Sequence, residues 1–261
     1  MRGLVCIHGF TGSPASFDPL ARSLASRGIV RLCRPTLLGH RTTPAVASAA
    51  RAEPCRRRVE RFEEEVDRVA ASIVSEGFAG AHLLGYSLGA RVALGLLARF
   101  SHLFAGATLI GVHPGLGSLE ERAARVGSDE RWCTLLERRG VEAFLHAWEA
   151  QPLFASQQAI DARLTAEQRR VRAAHSAEGL ARALRVLGLG RMPNYRGALV
   201  TCPVKVRLVV GERDEKFSGI AASLAQLAPR VELERVPGAG HNVLLEARER
   251  VEQLLAGALA A

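Results

Sequence analysis

A serine between two glycines is the first group in this sequence that could do chemistry. Ser87 lies in Gly85-Tyr86-Ser87-Leu88-Gly89, which fits the pattern G-x-S-x-G. Between a strand and a helix, this pattern forms a tight turn that exposes the serine hydroxyl at the carboxyl edge of a sheet. We therefore predict that Ser87 is catalytic and that the Leu88 amide, at the helix N-terminus, donates to an oxyanion.

A catalytic serine needs a base, and the base needs a carboxylate that orients it. Asp214 ends the stretch Gly-Glu-Arg-Asp after one apolar run, and His241 follows the next apolar run in the stretch Gly-Ala-Gly-His-Asn. The chain order Ser87, Asp214, His241 is that of the alpha/beta hydrolases. We predict these three residues as a catalytic triad, with Glu212 and Glu215 as alternative acids.

A glycine turn after the first apolar run supplies a second oxyanion donor. His8-Gly9-Phe10 occupies the position of the loop that contributes this donor in alpha/beta hydrolases, here the Phe10 amide. The alternative is a glycine turn without a catalytic role. In the next loop, Gly39-His40 either flanks the pocket or contains an ordinary loop histidine.

Arg91 indicates the charge of the substrate. It lies four residues after Ser87 and therefore on the same helix face, one turn further along. A buried guanidinium without an anion is costly. Its partner is either an Asp or Glu of the chain or a carboxylate of the substrate, whose shape the guanidinium matches.

Short apolar runs alternate with amphipathic stretches along the chain and predict the elements that position these residues. The alternation predicts right-handed βαβ units, and hence an α/β fold with a mostly parallel sheet and helices on both faces. The predicted strands are 4–7, 29–33, 81–84, 107–110, 204–210 and 231–236, and the predicted helices are 18–26, 59–75, 88–99 and 246–259.

The stretch 115–199 interrupts this alternation. It is rich in Arg, Glu, Ala and Leu, has helical periodicity, and contains both tryptophans. We predict that it is a helical cap inserted into a core formed by residues 1–114 and 200–261. The loop 34–54 has no clear periodicity.

Composition narrows the class of protein. The chain has 261 residues and a formal net charge of +9, and only Lys205 and Lys216 among its 35 basic residues are lysines. A hydrophobic content of 48% and a charged content of 23% exclude a disordered chain. The densest basic cluster, 56–58, is followed at once by glutamates, which is typical of a solvated helix surface rather than a nucleic-acid site.

The five cysteines and the apolar runs indicate the compartment. The cysteines lie far apart without C-x-x-C spacing, which argues against a disulfide framework or a zinc site and favours a reducing cytoplasm. The first apolar run is too short for a signal peptide, and no run is long enough to span a membrane. We expect a cytoplasmic protein without a membrane partner.

Several motifs together resemble one enzyme family. They are Gly-Tyr-Ser-Leu-Gly-Ala-Arg (85–91), His-Pro-Gly-Leu (113–116) with Glu-Arg-Ala-Ala-Arg (121–125) and Ser-Asp (128–129), Trp148 with Gln-Pro-Leu-Phe-Ala-Ser (151–156), Gly-Glu-Arg-Asp-Glu-Lys-Phe (211–217), and Gly-His-Asn (240–242). Their combination resembles the 2-succinyl-6-hydroxy-2,4-cyclohexadiene-1-carboxylate synthases of menaquinone biosynthesis over most of the chain.

The resemblance implies a lyase with the alpha/beta hydrolase fold. The triad serine, activated by the histidine, would act as a base on a carbon acid, and the substrate would eliminate pyruvate without a metal or organic cofactor. The substrate is a small polycarboxylate. The resemblance further implies substrate carboxylates bound by Arg91, Arg125 and Arg172, and a pocket lined by Tyr86, Trp148 and Phe154. Arg169 and Arg170 are alternatives to Arg172.

Two features depart from the family's pattern. The sequence begins almost at the first predicted strand, so we expect the family's short leading segment, and with it an edge hairpin of the wider fold, to be absent. Where relatives often have a turn like Asp-Leu-Pro-Gly-His-Gly, this chain has Arg-Pro-Thr-Leu-Leu-Gly-His-Arg (34–41), in a loop expected to border the pocket. A carboxylesterase, a thioesterase or a C–C hydrolase with the same triad remains an alternative function, as does a non-catalytic binding protein.

Overall fold

A single parallel sheet forms the centre of the molecule. The computed structural model describes residues 3–26, 28, 31–41, 59–228 and 230–260. The sheet order is β2-β1-β3-β4-β5-β6, and each neighbouring pair of these strands is parallel. The predicted α/β sheet is thereby confirmed. The strands are β1 (Gly3–Ile7), β2 (Arg31–Cys33), β3 (Ala81–Tyr86), β4 (Phe104–Ile110), β5 (Val206–Gly211) and β6 (Val231–Val236).

Helices cover both faces of the sheet, which explains why β1 is a continuous apolar run. Val5 and Ile7 pack into one apolar cluster with α2 (Phe62–Ser75), α3 (Leu88–Phe100) and α8 (Glu215–Leu227). Leu4 and Cys6 point to the opposite face and pack against α1 (Asp18–Ser26) and α10 (Arg248–Ala260). Successive residues of the strand therefore serve two separate cores.

The segment between β4 and β5 is helical. It contains α4 (Leu119–Glu149), a 3₁₀ stretch (Pro152–Ala159), α5 (Ala162–Ala173), α6 (Ala177–Leu187) and the short α7 (Arg196–Thr201). α4 bends at Gly140, where φ is 76°. Side chains of α4 and α6, including Cys133, Phe144 and Leu180, form a third apolar cluster.

Several element boundaries differ from the predicted ones because side chains bind nearby backbone groups. The predicted helix 59–75 begins only at Phe62. The Glu64 carboxylate accepts hydrogen bonds from the amides of Glu60 and Arg61, and these two residues therefore precede the helix. The predicted helix 246–259 is two helices, α9 (Val243–Glu246) and α10, that meet at the non-helical Ala247.

The strands also differ slightly in extent. The predicted strand 107–110 begins at Phe104, and the predicted strand 204–210 is shifted to Val206–Gly211. Of the predicted strand 29–33, β2 covers 31–33, while residues 29 and 30 lie outside the described residues. Loop residues 42–54, Cys55 and the basic cluster 56–58 also lie outside them.

Candidate active site

Ser87, His241 and Asp214 form a continuous hydrogen-bonded chain. The Ser87 hydroxyl donates to His241 Nε2 over 3.0 Å, and His241 Nδ1 donates to Asp214 Oδ2 over 2.7 Å. His241 and Asp214 are buried, whereas Ser87 is partly exposed to a cavity. The arrangement lets His241 accept the serine proton while Asp214 stabilises the resulting imidazolium.

The turn between β3 and α3 presents Ser87 in a strained conformation. Its φ is 53° and its ψ is −110°, a region that residues other than glycine rarely adopt. A side chain at Gly89 would lie 2.0 Å from the Ile7 carbonyl oxygen, and one at Gly85 would lie 2.7 Å from Ala90 Cα. Both flanking glycines are therefore needed for this close approach of helix and strand.

The loops that carry Asp214 and His241 support each other. Asp214 caps α8, with Oδ1 accepting from the Phe217 amide over 3.2 Å. The Glu246 carboxylate accepts from the Gly240 and Asn242 amides on either side of His241, over 2.6 and 3.1 Å. These backbone contacts fix the position of both side chains before substrate binds.

The alternative acids do not contact His241. Glu212 is exposed and accepts a hydrogen bond from the Gly238 amide over 2.9 Å. Glu215 is also exposed, in the first turn of α8. Asp214 is therefore the carboxylate that orients the histidine in this structure.

The predicted oxyanion donors lie beside Ser87. Phe10 and Leu88 both line the large cavity next to Ser87. Within the part of the chain that the structure describes, the Phe10 and Leu88 amides donate to no protein acceptor. An unpaired amide that faces a cavity is available to an anionic oxygen.

A cavity of about 800 Å³ opens in front of Ser87. Its wall combines groups from the core, including Arg91 and His113, with groups from the helical segment, including Arg125 and Trp148. This volume is in the range that suits a small organic ligand.

Arg91 and Arg125 give this cavity its charge. Arg91 donates to the Leu187 carbonyl oxygen over 2.8 Å, and it forms no ion pair among the described residues. Burial, and then repulsion from Arg125, lower the pKa of Arg91, and attraction from the Asp129 carboxylate offsets part of this effect. Arg125 is paired with the buried Asp129 over 2.8 Å. An anion between the two guanidinium groups would relieve their repulsion.

A smaller cavity of about 240 Å³ also adjoins Ser87 and His241. Tyr86, Phe154 and Arg172 line it, while Trp148 lines both cavities. Arg172 is buried, pairs with Glu149 over 2.9 Å and lies over the Phe154 ring at 5.4 Å. The predicted substrate residues are thus divided between two cavities that share the serine and the histidine.

The alternatives to Arg172 bind elsewhere. Arg169 pairs with Glu142 over 2.7 Å and also with Glu149. Arg170 is exposed and pairs with Glu167. Neither residue lines the cavities beside Ser87.

Comparison with known proteins identifies the family. The model of the alpha/beta hydrolase family matches residues 4–254. A protein of Salmonella paratyphi C (strain RKS4594), named 2-succinyl-6-hydroxy-2,4-cyclohexadiene-1-carboxylate synthase, is 31% identical over 92% of this chain and 86% of its own length. The chain belongs to this synthase family. It is an enzyme with the alpha/beta hydrolase fold, and the resemblance stated from the motifs is confirmed.

Solved structures agree on the fold. A structure of MenH from S. aureus aligns with a TM-score of 0.87 at 25% identity and covers 99% of this chain and 93% of that chain. A carboxylesterase from Nitrososphaera gargenis aligns with a TM-score of 0.79 at 22% identity, over 99% of this chain and 90% of that chain, and this likeness shows the fold alone. The fold is therefore shared by synthases and esterases, and the choice between them depends on the site.

Several cavity residues were not found from the sequence. His113 accepts from the Gly115 amide through Nδ1 over 3.1 Å, which leaves Nε2–H as a neutral donor in the large cavity. Lys216 and Phe217 also line it, and the Phe217 ring lies 4.5 Å from that of His241. His113 lies three residues after the end of β4, as Asp214 does after β5, so the rule that identified Asp214 at a strand end could have found it as well.

The loop 34–41 was expected to border the pocket, and this expectation is wrong for the two cavities beside Ser87. None of its residues lines either cavity. Instead, Leu37 and Leu38 turn inward, and their amides donate to His8 and Glu65. The loop reaches the site through His40, which contacts the Phe10 ring and the Thr11 amide.

Two further properties concern the described residues as a whole. They contain no group of three or more His, Cys, Asp or Glu side chains arranged to hold a metal ion. No helix among them has the length and the apolar content needed to cross a membrane.

Proposed function

We propose that this protein is a lyase of menaquinone biosynthesis. It eliminates pyruvate from 2-succinyl-5-enolpyruvyl-6-hydroxy-3-cyclohexene-1-carboxylate and forms 2-succinyl-6-hydroxy-2,4-cyclohexadiene-1-carboxylate. The observation that carries the proposal is the serine–histidine–aspartate chain beside a cavity in which Arg91 forms no ion pair with any described residue. Family membership supports it, since relatives bear the name of this synthase.

In the proposed mechanism the serine is a base rather than a nucleophile. His241 takes the Ser87 proton, and Ser87 Oγ removes the proton from the ring carbon that bears the succinyl arm. The electron pair forms a double bond within the ring, the existing ring double bond shifts, and the C–O bond to the enolpyruvyl group breaks. The released enolpyruvate takes up a proton, supplied by His241 or by water, and becomes pyruvate.

Backbone amides and Asp214 assist this proton transfer. Charge develops on the succinyl ketone oxygen as the proton leaves, and the Phe10 and Leu88 amides donate to that oxygen. Such preorganised donors are worth more in a site without water than in solution. Asp214 holds His241 in the tautomer that accepts from Ser87.

The arginines bind the carboxylates of the substrate. The reacting carbon joins the succinyl arm to the ring, and Ser87 lines both cavities. The succinyl arm, with one carboxylate, fits the smaller cavity with Arg172, Tyr86 and Phe154. The ring and the enolpyruvyl group, with two carboxylates, fit the large cavity with Arg91 and Arg125. The partner of this enzyme is thus a small polycarboxylate.

The remaining expectations complete the proposal. Residues 115–199 form a cap on a core made of 1–114 and 200–261, because residues of both parts line the cavities. The protein acts in the cytoplasm, where a reducing environment suits the buried free thiols of Cys6, Cys33, Cys133 and Cys202. No step of the mechanism requires a metal or an organic cofactor.

A serine ester hydrolase is the alternative, because the same triad and oxyanion donors suit acyl transfer. The deciding experiment supplies the enolpyruvyl substrate and measures pyruvate by coupled oxidation of NADH with lactate dehydrogenase. Hydrolysis of p-nitrophenyl acetate is measured in parallel. We expect pyruvate release with little ester hydrolysis. Rapid ester turnover without pyruvate would replace the lyase proposal by the esterase.

A further inference from the structure

The residue after Phe10 has an unusual backbone conformation. Thr11 is completely buried and has a φ of 63°. A positive φ is an outlier for a β-branched residue and persists only where the surroundings impose it. Phe10 and Thr11 are the two central residues of a turn that the Gly12 amide closes on the Gly9 carbonyl oxygen over 3.0 Å, so the conformation of Thr11 helps to set the geometry of the turn that carries the Phe10 amide.

Histidines from two distant parts of the chain bind the Thr11 backbone. The Thr11 amide donates to His40 Nε2 over 3.2 Å, and His175 Nε2 donates to the Thr11 carbonyl oxygen over 3.0 Å. His40 belongs to the loop 34–41, whereas His175 connects α5 to α6. Both backbone polar groups of the strained residue are therefore held by imidazole rings.

The other ring nitrogens fix which proton each histidine carries. His40 Nδ1 donates to the Leu38 carbonyl oxygen over 2.9 Å, so its Nε2 is free to accept. His175 Nδ1 accepts from the Arg41 amide over 3.0 Å, so its Nε2 carries the hydrogen that binds Thr11. Both rings must be neutral for these four hydrogen bonds to exist together.

The surroundings keep the two rings in place. His40 lies edge-on to His8 at 4.8 Å and to His175 at 5.2 Å, and the Phe10 ring packs against it at 5.7 Å. A side chain at Gly39 would lie 2.0 Å from the Gly179 carbonyl oxygen, so the loop and the start of α6 are in direct backbone contact.

We propose that His40 and His175 are positioning residues that hold Thr11 in its left-handed conformation and thereby direct the Phe10 amide toward the oxyanion formed beside Ser87. The inference rests on the oxyanion role given to Phe10 in the proposed function. His175, in the connection between α5 and α6, lines neither cavity. The proposal therefore gives a residue outside both cavities control over a donor in the active site.

The first test compares two substitutions at His175. His175→Phe keeps a ring of similar size but loses both hydrogen bonds, and we expect it to lower kcat for pyruvate release by about 10- to 100-fold with KM within about threefold. His175→Gln can still donate and accept, and it should recover most of the loss. The matched control is His82→Gln, because His82 is a buried histidine that bonds to Thr108 away from both cavities. It should leave kcat unchanged.

The second test measures the oxyanion site without turnover. Phenylboronic acid forms a tetrahedral adduct with an activated serine, and its affinity is measured by calorimetry. His175→Phe should weaken this adduct by the same factor by which it lowers kcat. If a folded His175→Phe keeps the native adduct affinity, the positioning role is wrong. Because this measurement needs no pyruvate release, it stays decisive even if the lyase proposal fails.

A double substitution separates positioning from general destabilisation. Glycine adopts a positive φ without strain, so Thr11→Gly removes the need for an external hold. His175→Phe should therefore lose less kcat and less boronate affinity in the Thr11→Gly background than in the native one. Equal losses in both backgrounds would overturn the inference, because they would show that His175 acts independently of Thr11.

Discussion

The triad and the arginine wall of the large cavity, which consists of Arg91 and Arg125, differ in how their polar groups are satisfied. In the triad, Ser87, His241 and Asp214 are hydrogen-bonded to one another. In the wall, Arg125 is paired with Asp129, whereas Arg91 hydrogen-bonds to a carbonyl oxygen, forms no ion pair within the described residues and is attracted by Asp129 only from a greater distance. The polar groups of the triad are therefore satisfied by one another without a ligand, whereas the guanidinium group of Arg91 still lacks an ion-pair partner among the described residues.

This difference indicates which residues serve the chemical step and which contribute binding free energy for the substrate. Groups that are preorganised before binding need no rearrangement when charge develops in the transition state. A buried guanidinium without an anion gains most when the ligand supplies one. The triad should therefore control the rate of the chemical step, and the wall should control the choice of substrate.

The largest effect is expected from a substitution that disrupts the triad. Ser87→Ala removes the proposed base and should lower kcat for pyruvate release by at least about 1,000-fold. The fold should be retained, because among the described residues the hydroxyl bonds to His241 alone. Steady-state kinetics and circular dichroism test this, with Ser75→Ala, at an exposed serine of α2, as the control. A variant with more than a tenth of the native rate would show that Ser87 is not the base.

The second prediction concerns a substitution that removes one arginine of the wall. Arg91→Ala should lower kcat/KM for the polycarboxylate by about 10- to 100-fold, since a charge-assisted hydrogen bond is lost. Hydrolysis of a neutral ester, however slow, should change by less than about threefold because it has no carboxylate to lose. Arg99→Ala is the matched control, since Arg99 lies on the same helix but is exposed and paired with Asp67. Equal losses on both substrates would show that Arg91 acts through Leu187 and supports the structure instead.

The smallest expected effect is on stability and concerns the buried histidines of the molecule. Burial is the main cause that lowers the pKa of His8, His82 and His113 to about 4, and it also lowers the pKa of His40 and His175. In the unfolded chain these groups bind a proton near pH 6.5. Between about pH 6.5 and pH 4 the unfolded state therefore holds more protons than the native state, and stability falls as the pH falls.

Urea unfolding at a series of pH values measures this dependence. Each such histidine contributes a slope of up to about 1.4 kcal/mol per pH unit to the free energy of unfolding within this window, and nothing above it. The variant His82→Gln removes one of them and should show a correspondingly smaller slope. An unchanged slope would mean that His82 is protonated in the native state.

The hydrogen-bonded chain of Ser87, His241 and Asp214 could be predicted from the sequence because each member lies within five residues of the carboxyl end of a strand. In a parallel sheet the carboxyl ends of the strands meet at one edge, so local signals near 87, 214 and 241 place distant residues together. The choice of Asp214 over Glu212 and Glu215 could not be predicted with the same certainty. It depends on how the turn after β5 directs each side chain, and three acids within four positions leave that open.

The arginines and histidines were harder to predict. The alternatives for Arg91 were a protein acid or a substrate anion, and its contact with the Leu187 carbonyl oxygen was not foreseen. Nothing near His175 indicates a role, because its partners Thr11 and Arg41 are remote in sequence. Such contacts depend on how the helical segment packs on the core, which no local pattern specifies.

The sequence by itself determined the α/β class, the order of the triad and the family, because these depend on periodicity and on motifs of a few adjacent residues. Only the tertiary structure decided which arginine lacks an acid, how the cavities divide at Ser87, and which histidines hold Thr11. Those properties arise from close packing between segments far apart in the chain, where displacements of an ångström make or break a hydrogen bond.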